Sequence, residues 1–287
     1  MLTARRGNTA RCVRRVRPPS ATRCLAARSL LCVAALLGAS AAAAAPVIIA
    51  YIGDVGGPAH AGARQGISEA NAQGRFLGLD YELAMVADAE QARALSAAAI
   101  VADLPSTELK TLVAAAAGMA VINVTAEDDA LRTACSDNLL HTIPSAEMRA
   151  DAVQQWRQRA PQSAATANAW HHDFEKYAAA QLNNRYREQF NEPMNDRAWA
   201  GWAAVKVASD TVARIGSAVP ADLLVALRGE LAFDGQKGVD MSFRANGQLR
   251  QPLLLVEDDR IVGEAPVRGV VADDDLDSLG PADCPAP

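Results

Sequence analysis

The chain has 287 residues, of which half are hydrophobic, 21% charged and 5% aromatic. This excludes a disordered, collagen-like or disulfide-dense small chain, and the length allows one large domain or two small ones. Residues 1–42 hold eight arginines and no acid, so the overall charge of −5 leaves a body with 20 basic and 33 acidic residues. A body this acidic argues against nucleic acid or an anionic membrane as partner.

Arg5, Arg6, Arg11, Arg14, Arg15, Arg17, Arg23 and Arg28 precede an apolar run, 29–38, and a small-residue stretch, 39–45. That order is a secretory signal over residues 1–44. Pro46 disfavours cleavage after Ala45 and sets the cut between Ala41 and Ala44. The competing reading is an uncleaved anchor, because no charge occurs from Ser29 to Gly53. Both readings put the body in an oxidising compartment, where its two cysteines, Cys135 and Cys284, can pair.

The body begins with alternating strands and helices. A strand is expected over 47–52, a helix over 61–73, a strand over 81–86, a helix over 89–96 and a strand over 98–102. Ser106 is expected to cap a helix over 107–117. Strands over 119–124 and 139–143 follow, and then a helix capped by Ser145 that runs to Arg159. The pattern implies an α/β fold with a parallel sheet flanked by helices. In such sheets ligands sit at the carboxyl ends of the strands, here Asp54, the 104–106 turn and the 125–127 turn. Residues 160–169 form an alanine-rich break. Helices are expected over 173–190, 196–215 and 221–228. In the middle one, Trp199, Trp202, Val205, Ala208 and Val212 make a core-facing stripe. Short β-like runs at 239–243, 252–256 and 260–263 are separated by turns at Asn246-Gly247 and Asp258-Asp259. The acidic stretch 273–277 reads as solvated surface.

No motif for catalysis is present: no phosphate loop, G-x-S-x-G, H-E-x-x-H or C-x-x-C. His171 and His172 are adjacent, so on a strand or helix they diverge and make a poor metal pair. His60 and His141 are isolated. The sequence therefore implies neither an enzyme, nor a metal site, nor a cofactor.

Gly57-Pro58-Ala59, Ala61-Gly62 and Glu69–Gly74 resemble the first strand–loop–helix of type I periplasmic solute-binding proteins. Those are the leucine/isoleucine/valine-binding type that feed ABC transporters. Residues 102–107 and 122–131 fall where that family has its next two ligand loops. Blocks at 128–145, 169–171, 180–185, 247–252 and 275–280 resemble one branch of it, found alongside pyrroloquinoline-quinone (PQQ)-dependent alcohol oxidation systems. The resemblance implies a ligand site of Asp54, His60, Ser106, Thr125, Ala126 and Glu127, with Trp170 and His171 stacking on a flat ligand. It also implies a Cys135–Cys284 disulfide.

Two departures from the family stand out. The family's amino-acid binders carry a small hydroxyl residue where this chain has Glu127, and a carboxylate there repels an α-carboxylate. The strand–helix repeats that build the second lobe are also absent, because residues 160–169 are too few to hold them. The expected organisation is therefore a first lobe from 45–159 and 170–232, joined by a shortened crossover, 160–169. A β-ribbon remnant of the second lobe over 233–267 and an acidic tail over 268–287 follow. The expected function is a periplasmic solute-binding component of an ABC transporter, partnered by a permease, with an alcohol-derived acid or PQQ as ligand. The alternative is a single-lobe interaction module, or a truncated degenerate copy, that binds a periplasmic protein or pairs with itself through the ribbon.

Overall fold

The computed structural model describes residues 45–229, 231–272, 275–281 and 283–284. The signal segment and Asp273-Asp274 lie outside them. Among the described residues no helix is long and apolar enough to cross a membrane.

The first half is a parallel α/β unit. Strand β1 (Val47–Gly53) leads through a glycine-rich loop to helix α1 (Pro58–Gly74). Pro58 at the first helical turn extends α1 three residues earlier than the apolar pattern suggests, because its fixed φ suits that position. Then come β2 (Tyr81–Met85), α2 (Ala89–Ala94), β3 (Ala99–Asp103) and α3 (Ser106–Ala115). The unit closes with β4 (Ala120–Asn123), α4 (Asp129–Thr133), β5 (Leu139–His141) and α5 (Ala146–Arg159). The five strands are all parallel, in the order β2-β1-β3-β4-β5. Ser145 caps α5 as expected, its Oγ accepting from Met148 N–H at 3.1 Å. Ser106 does not cap α3: Pro105 holds the cap position, and Ser106 is the first helical residue.

Successive sheet residues point to opposite faces, and each face has its own core. Ile49, Tyr51, Val101, Ile122 and Leu140 pack with α1 and with α7 (Asp196–Ile215). Ala50, Ile52, Ile100, Ala102 and Val121 pack with α2 and α3. The α1–α7 crossing is backbone-close. A Cβ on Gly62 would sit 1.8 Å from the Ala198 carbonyl oxygen, and one on Gly201 would sit 2.0 Å from that of Ala59. Trp199 and Trp202 are buried on α7, as the stripe requires. Asn195 caps α7, accepting from Ala198 N–H, and Gly216 ends it with a left-handed φ of 66°. Helices α6 (Ala179–Phe190) and α8 (Pro220–Arg228) bury Leu182, Tyr186, Leu223 and Leu227 against the same core. Residues 173–178 are turns rather than helix.

A second sheet differs from the expected ribbon. Strand β6 (Thr166–Asn168) arises inside the alanine-rich break and pairs antiparallel with β7 (Leu253–Glu257). Strand β8 (Arg260–Ala265) pairs with the other edge of β7. Residues 239–243 form no strand, only an isolated bridge from Phe243 to Leu249. The small sheet is not an orphan, because β7 is buried on both faces. Leu253 and Leu255 pack with Met148 and Ala152 of α5, while Leu254 and Val256 join the main core.

The C-terminal tail is docked rather than simply solvated. Buried Arg244 donates to the carbonyls of Leu276, Leu279 and Pro281, and its guanidinium pairs with Asp277. Gly280 N–H donates to Asp151, and a disulfide joins Cys135 to Cys284, 149 residues apart.

Candidate functional site

The strand order reverses direction at β1, so the crevice at the carboxyl ends of β1 and β3 is a topological switch point. Gly53 pairs with Asp103 there, and a Cβ on Gly53 would sit 2.4 Å from the Asp103 carbonyl oxygen. Only glycine lets the two strand ends approach this closely.

Tyr51, Asp103 and Thr125 form the centre of this edge. Tyr51 OH donates to Asp103 Oδ2 at 3.0 Å, and Thr125 Oγ1 donates to Asp103 Oδ1. Burial first, then the charge of Asp103, pushes the Tyr51 phenol upward, so it stays protonated and donates. The His60 ring lies 5.0 Å from the Tyr51 ring at the start of α1. Burial lowers the His60 pKa, keeping the imidazole neutral at pH 7. Asp54 shapes the preceding loop, its Oδ1 accepting from Gly56 N–H at 2.8 Å. Beyond Thr125, Ser106 Oγ donates to Asp128. Glu127 pairs with Arg149 at 3.1 Å, and Arg149 pairs with Asp196 at 2.7 Å. An open groove of about 940 Å³ begins at this triad and runs between α5 and β6.

Asp54, His60, Ser106, Thr125 and Glu127 thus lie along one sheet edge. Ala126 sits among them but has no free polar group. Its N–H donates to Asn123 Oδ1, and its carbonyl accepts from Asn123 and Arg132. Arg132 is fully buried and also reaches the carbonyls of Asp128 and Ile143 and the side chain of Gln248. Burial lowers its pKa to about 10, so it remains charged at neutral pH while fixing the 126–128 loop.

Trp170 and His171 lie apart from this edge. The Trp170 ring is buried, stacked 6.0 Å from Trp199, and its N–H donates to Asn183. Core packing replaces the expected stacking face, because the indole has almost no exposed surface. Its backbone N–H reaches Asp196 at 2.8 Å, which links it to the Arg149 triad. His171 turns instead toward the β7–β8 hairpin. The two histidines do not diverge: they occupy a turn, and their rings stack 4.3 Å apart.

The sequence reading missed Tyr51 and placed Asp103 in a ligand loop, 102–107, without making it a site residue. Both stand on strands and look like core or strand-end residues in one dimension. The signal that could have found them is position, since Asp103 ends the strand next to β1 at the switch point. Arg149 and Asp196 were also missed, because Arg149 meets Glu127 and Asp196 only across sequence separation.

No protein-family model matches the chain, and no curated protein matches it in sequence. Solved structures do match it. One is the branched-chain amino acid transporter substrate-binding protein LivJ from Streptococcus pneumoniae, in complex with isoleucine. It superposes with a TM-score of 0.60 at 12% identity, over 77% of this chain and 99% of its own. An ABC transporter substrate-binding protein from Desulfitobacterium hafniense in complex with Leu gives 0.59 at 13% identity, over 76% and 99%. The leucine-, isoleucine-, valine-, threonine- and alanine-binding protein from Brucella ovis, in its closed conformation, gives 0.61 at 12% identity, over 74% and 89%.

The chain has the periplasmic-binding-protein fold. Within that fold, the polar edge described above lies at the carboxyl ends of the strands, where open parallel sheets bind ligands. The three neighbours named are binding proteins by their own descriptions.

Proposed function

We propose that the mature chain is a periplasmic solute-binding protein that serves an ABC permease and works beside a PQQ-dependent alcohol oxidation system. The signal segment directs its export. The observation that carries this reading is the Tyr51–Asp103–Thr125 cluster at the switch point. Asp54, His60, Ser106 and Glu127 extend the site on both sides.

The charge of that edge defines the ligand class. Asp54, Asp103, Glu127 and Asp128 line it; of the two bonded cations, Arg149 is shared by Glu127 and Asp196, and Arg132 is buried against backbone carbonyls. An α-carboxylate, an alcohol-derived acid or PQQ would meet net negative charge. A ligand that donates hydrogen bonds, a polyol or a primary amine, would meet acceptors.

Calorimetric titration tests this with a tag-free mature chain and four probes: leucine, a short hydroxy acid, PQQ and a neutral or amine-bearing alcohol. Micromolar binding of the last class, weakened at least tenfold by Asp103→Asn, supports the reading. Tight binding of an anion, or binding indifferent to Asp103→Asn, contradicts it.

A second reading rests on a specific feature: among the described residues there is one parallel sheet, so the ligand edge has no second parallel-sheet jaw. In that reading the chain is an interaction module. It predicts no small-molecule heat, and a stable complex with a periplasmic protein or with a second copy across the β8 edge.

A further inference from the structure

We propose that His171, His172 and Asp259 form a binding site for a divalent transition-metal ion of the zinc type. The site is separate from the solute edge and does not depend on that reading. His171 Nε2 lies 3.1 Å from Asp259 Oδ1, and His172 Nε2 lies 3.9 Å from Asp259 Oδ2. The three ligand atoms lie within 4.8 Å of one another. A tetrahedral ion with bonds near 2.0–2.2 Å needs ligand atoms about 3.4 Å apart, so small side-chain movements complete the geometry.

Three features of the fold build this arrangement. Residues 171–172 leave the core in a turn rather than on a helix or strand, so both imidazoles face the same way. The β7–β8 hairpin turn holds Asp258 and Asp259 at left-handed φ of 49° and 58°. Glycine or asparagine normally occupies such positions, and here a carboxylate-bearing residue stands at the one that meets the histidines. A cavity of about 390 Å³ beside the cluster, lined also by Asn168, Asn195 and Asp196, leaves room for water as a fourth ligand.

The donor set selects the ion. Two imidazoles and one carboxylate suit zinc, nickel or cobalt, whereas calcium and magnesium need an oxygen shell. In the metal-free protein Asp173 N–H donates to His171 Nδ1 at 3.2 Å, so the ring proton sits on Nε2 and bridges to Asp259. Metal binding moves that proton to Nδ1 and turns the Asp173 amide out to water. The bond given up is long and only part-buried, and Asp173 itself is exposed.

The chain has four histidines, and His141 is fully buried, which makes the test clean. The tag-free mature chain is titrated with zinc by calorimetry, and the Asp173 amide is followed by NMR. The expected result is one zinc per chain at micromolar affinity or tighter, with a shift of the Asp173 amide. His172→Ala and Asp259→Asn should each weaken binding at least tenfold with thermal unfolding of the metal-free protein unchanged. His60→Ala should leave zinc binding intact. Absence of stoichiometric binding, or binding that neither the His172 nor the Asp259 variant weakens, overturns the proposal.

Discussion

The five-stranded sheet and the three-stranded sheet are held together in different ways. Each strand of the first is followed by its own helix, and neighbours in sequence are mostly neighbours in space. The second joins the 253–257/260–265 hairpin to the distant segment 166–168, and long-range clasps surround it. Those clasps are Arg244 on the tail, Asp151 on Gly280 and the Cys135–Cys284 bridge. The first sheet presents the polar edge to solvent. Strand β6 of the second, with α5, walls the groove that begins at Glu127. Local pairing thus makes the platform, and covalent and hydrogen-bonded ties hold the tail in place.

Breaking the covalent tie should have the largest effect. Reduction, or the Cys135→Ser/Cys284→Ser double variant, releases a loop of 149 residues. The expected loss is about 4 kcal/mol, read as a fall in the urea midpoint. An unchanged midpoint would mean that Arg244 and Asp151 alone hold the tail.

Next in size is the α1–α7 crossing, which belongs to the platform. Gly201→Val forces its side chain into the Ala59 carbonyl and should cost about 3 kcal/mol by chemical denaturation. Because α1 also carries His60 and the start of the site, solute binding should weaken in parallel.

Acid should loosen the platform through its buried histidine. Burial, then the charges of Arg132 and Arg228, holds the His141 pKa well below its ordinary value. The unfolded chain binds this proton near pH 6.5 and the folded chain does not, so stability is full above that pH and falls as pH drops below it. The slope for this one proton is at most about 1.4 kcal/mol per pH unit. His60 adds in the same direction. Unfolding curves of His141→Asn should show a shallower slope, and a slope identical to wild type would exclude His141 as its source.

Ser106→Ala should have the smallest effect on stability. A true cap would cost about 1 kcal/mol, but Ser106 follows the cap and bonds an exposed Asp128, so a change within about 0.5 kcal/mol is expected by thermal unfolding.

The platform was largely legible in the sequence. Apolar runs such as 47–52 and caps such as Ser145 are local signals, and the helix 196–215 was read to its last residue. The small sheet was only half legible. Leu253–Glu257 has a strand's composition, but Thr166–Asn168 is three residues in an alanine-rich stretch that pairs only because β7 lies beside it. The docking of the tail was hidden for the same reason, since Arg244 and Asp277 acquire their roles only by contact. The loops of the site were legible as strand ends. Tyr51 and Asp103 were not, because their chemistry comes from adjacency across β1 and β3.

The central claim is that solute binds at the carboxyl edge around Asp103. The most direct measurement is a two-dimensional NMR titration of the mature chain with the best calorimetric ligand. The account predicts that the largest amide shifts fall in residues 53–60, 103–107 and 124–128. Shifts confined to β6, β7, β8 or the tail, with those three loops unmoved, would contradict it.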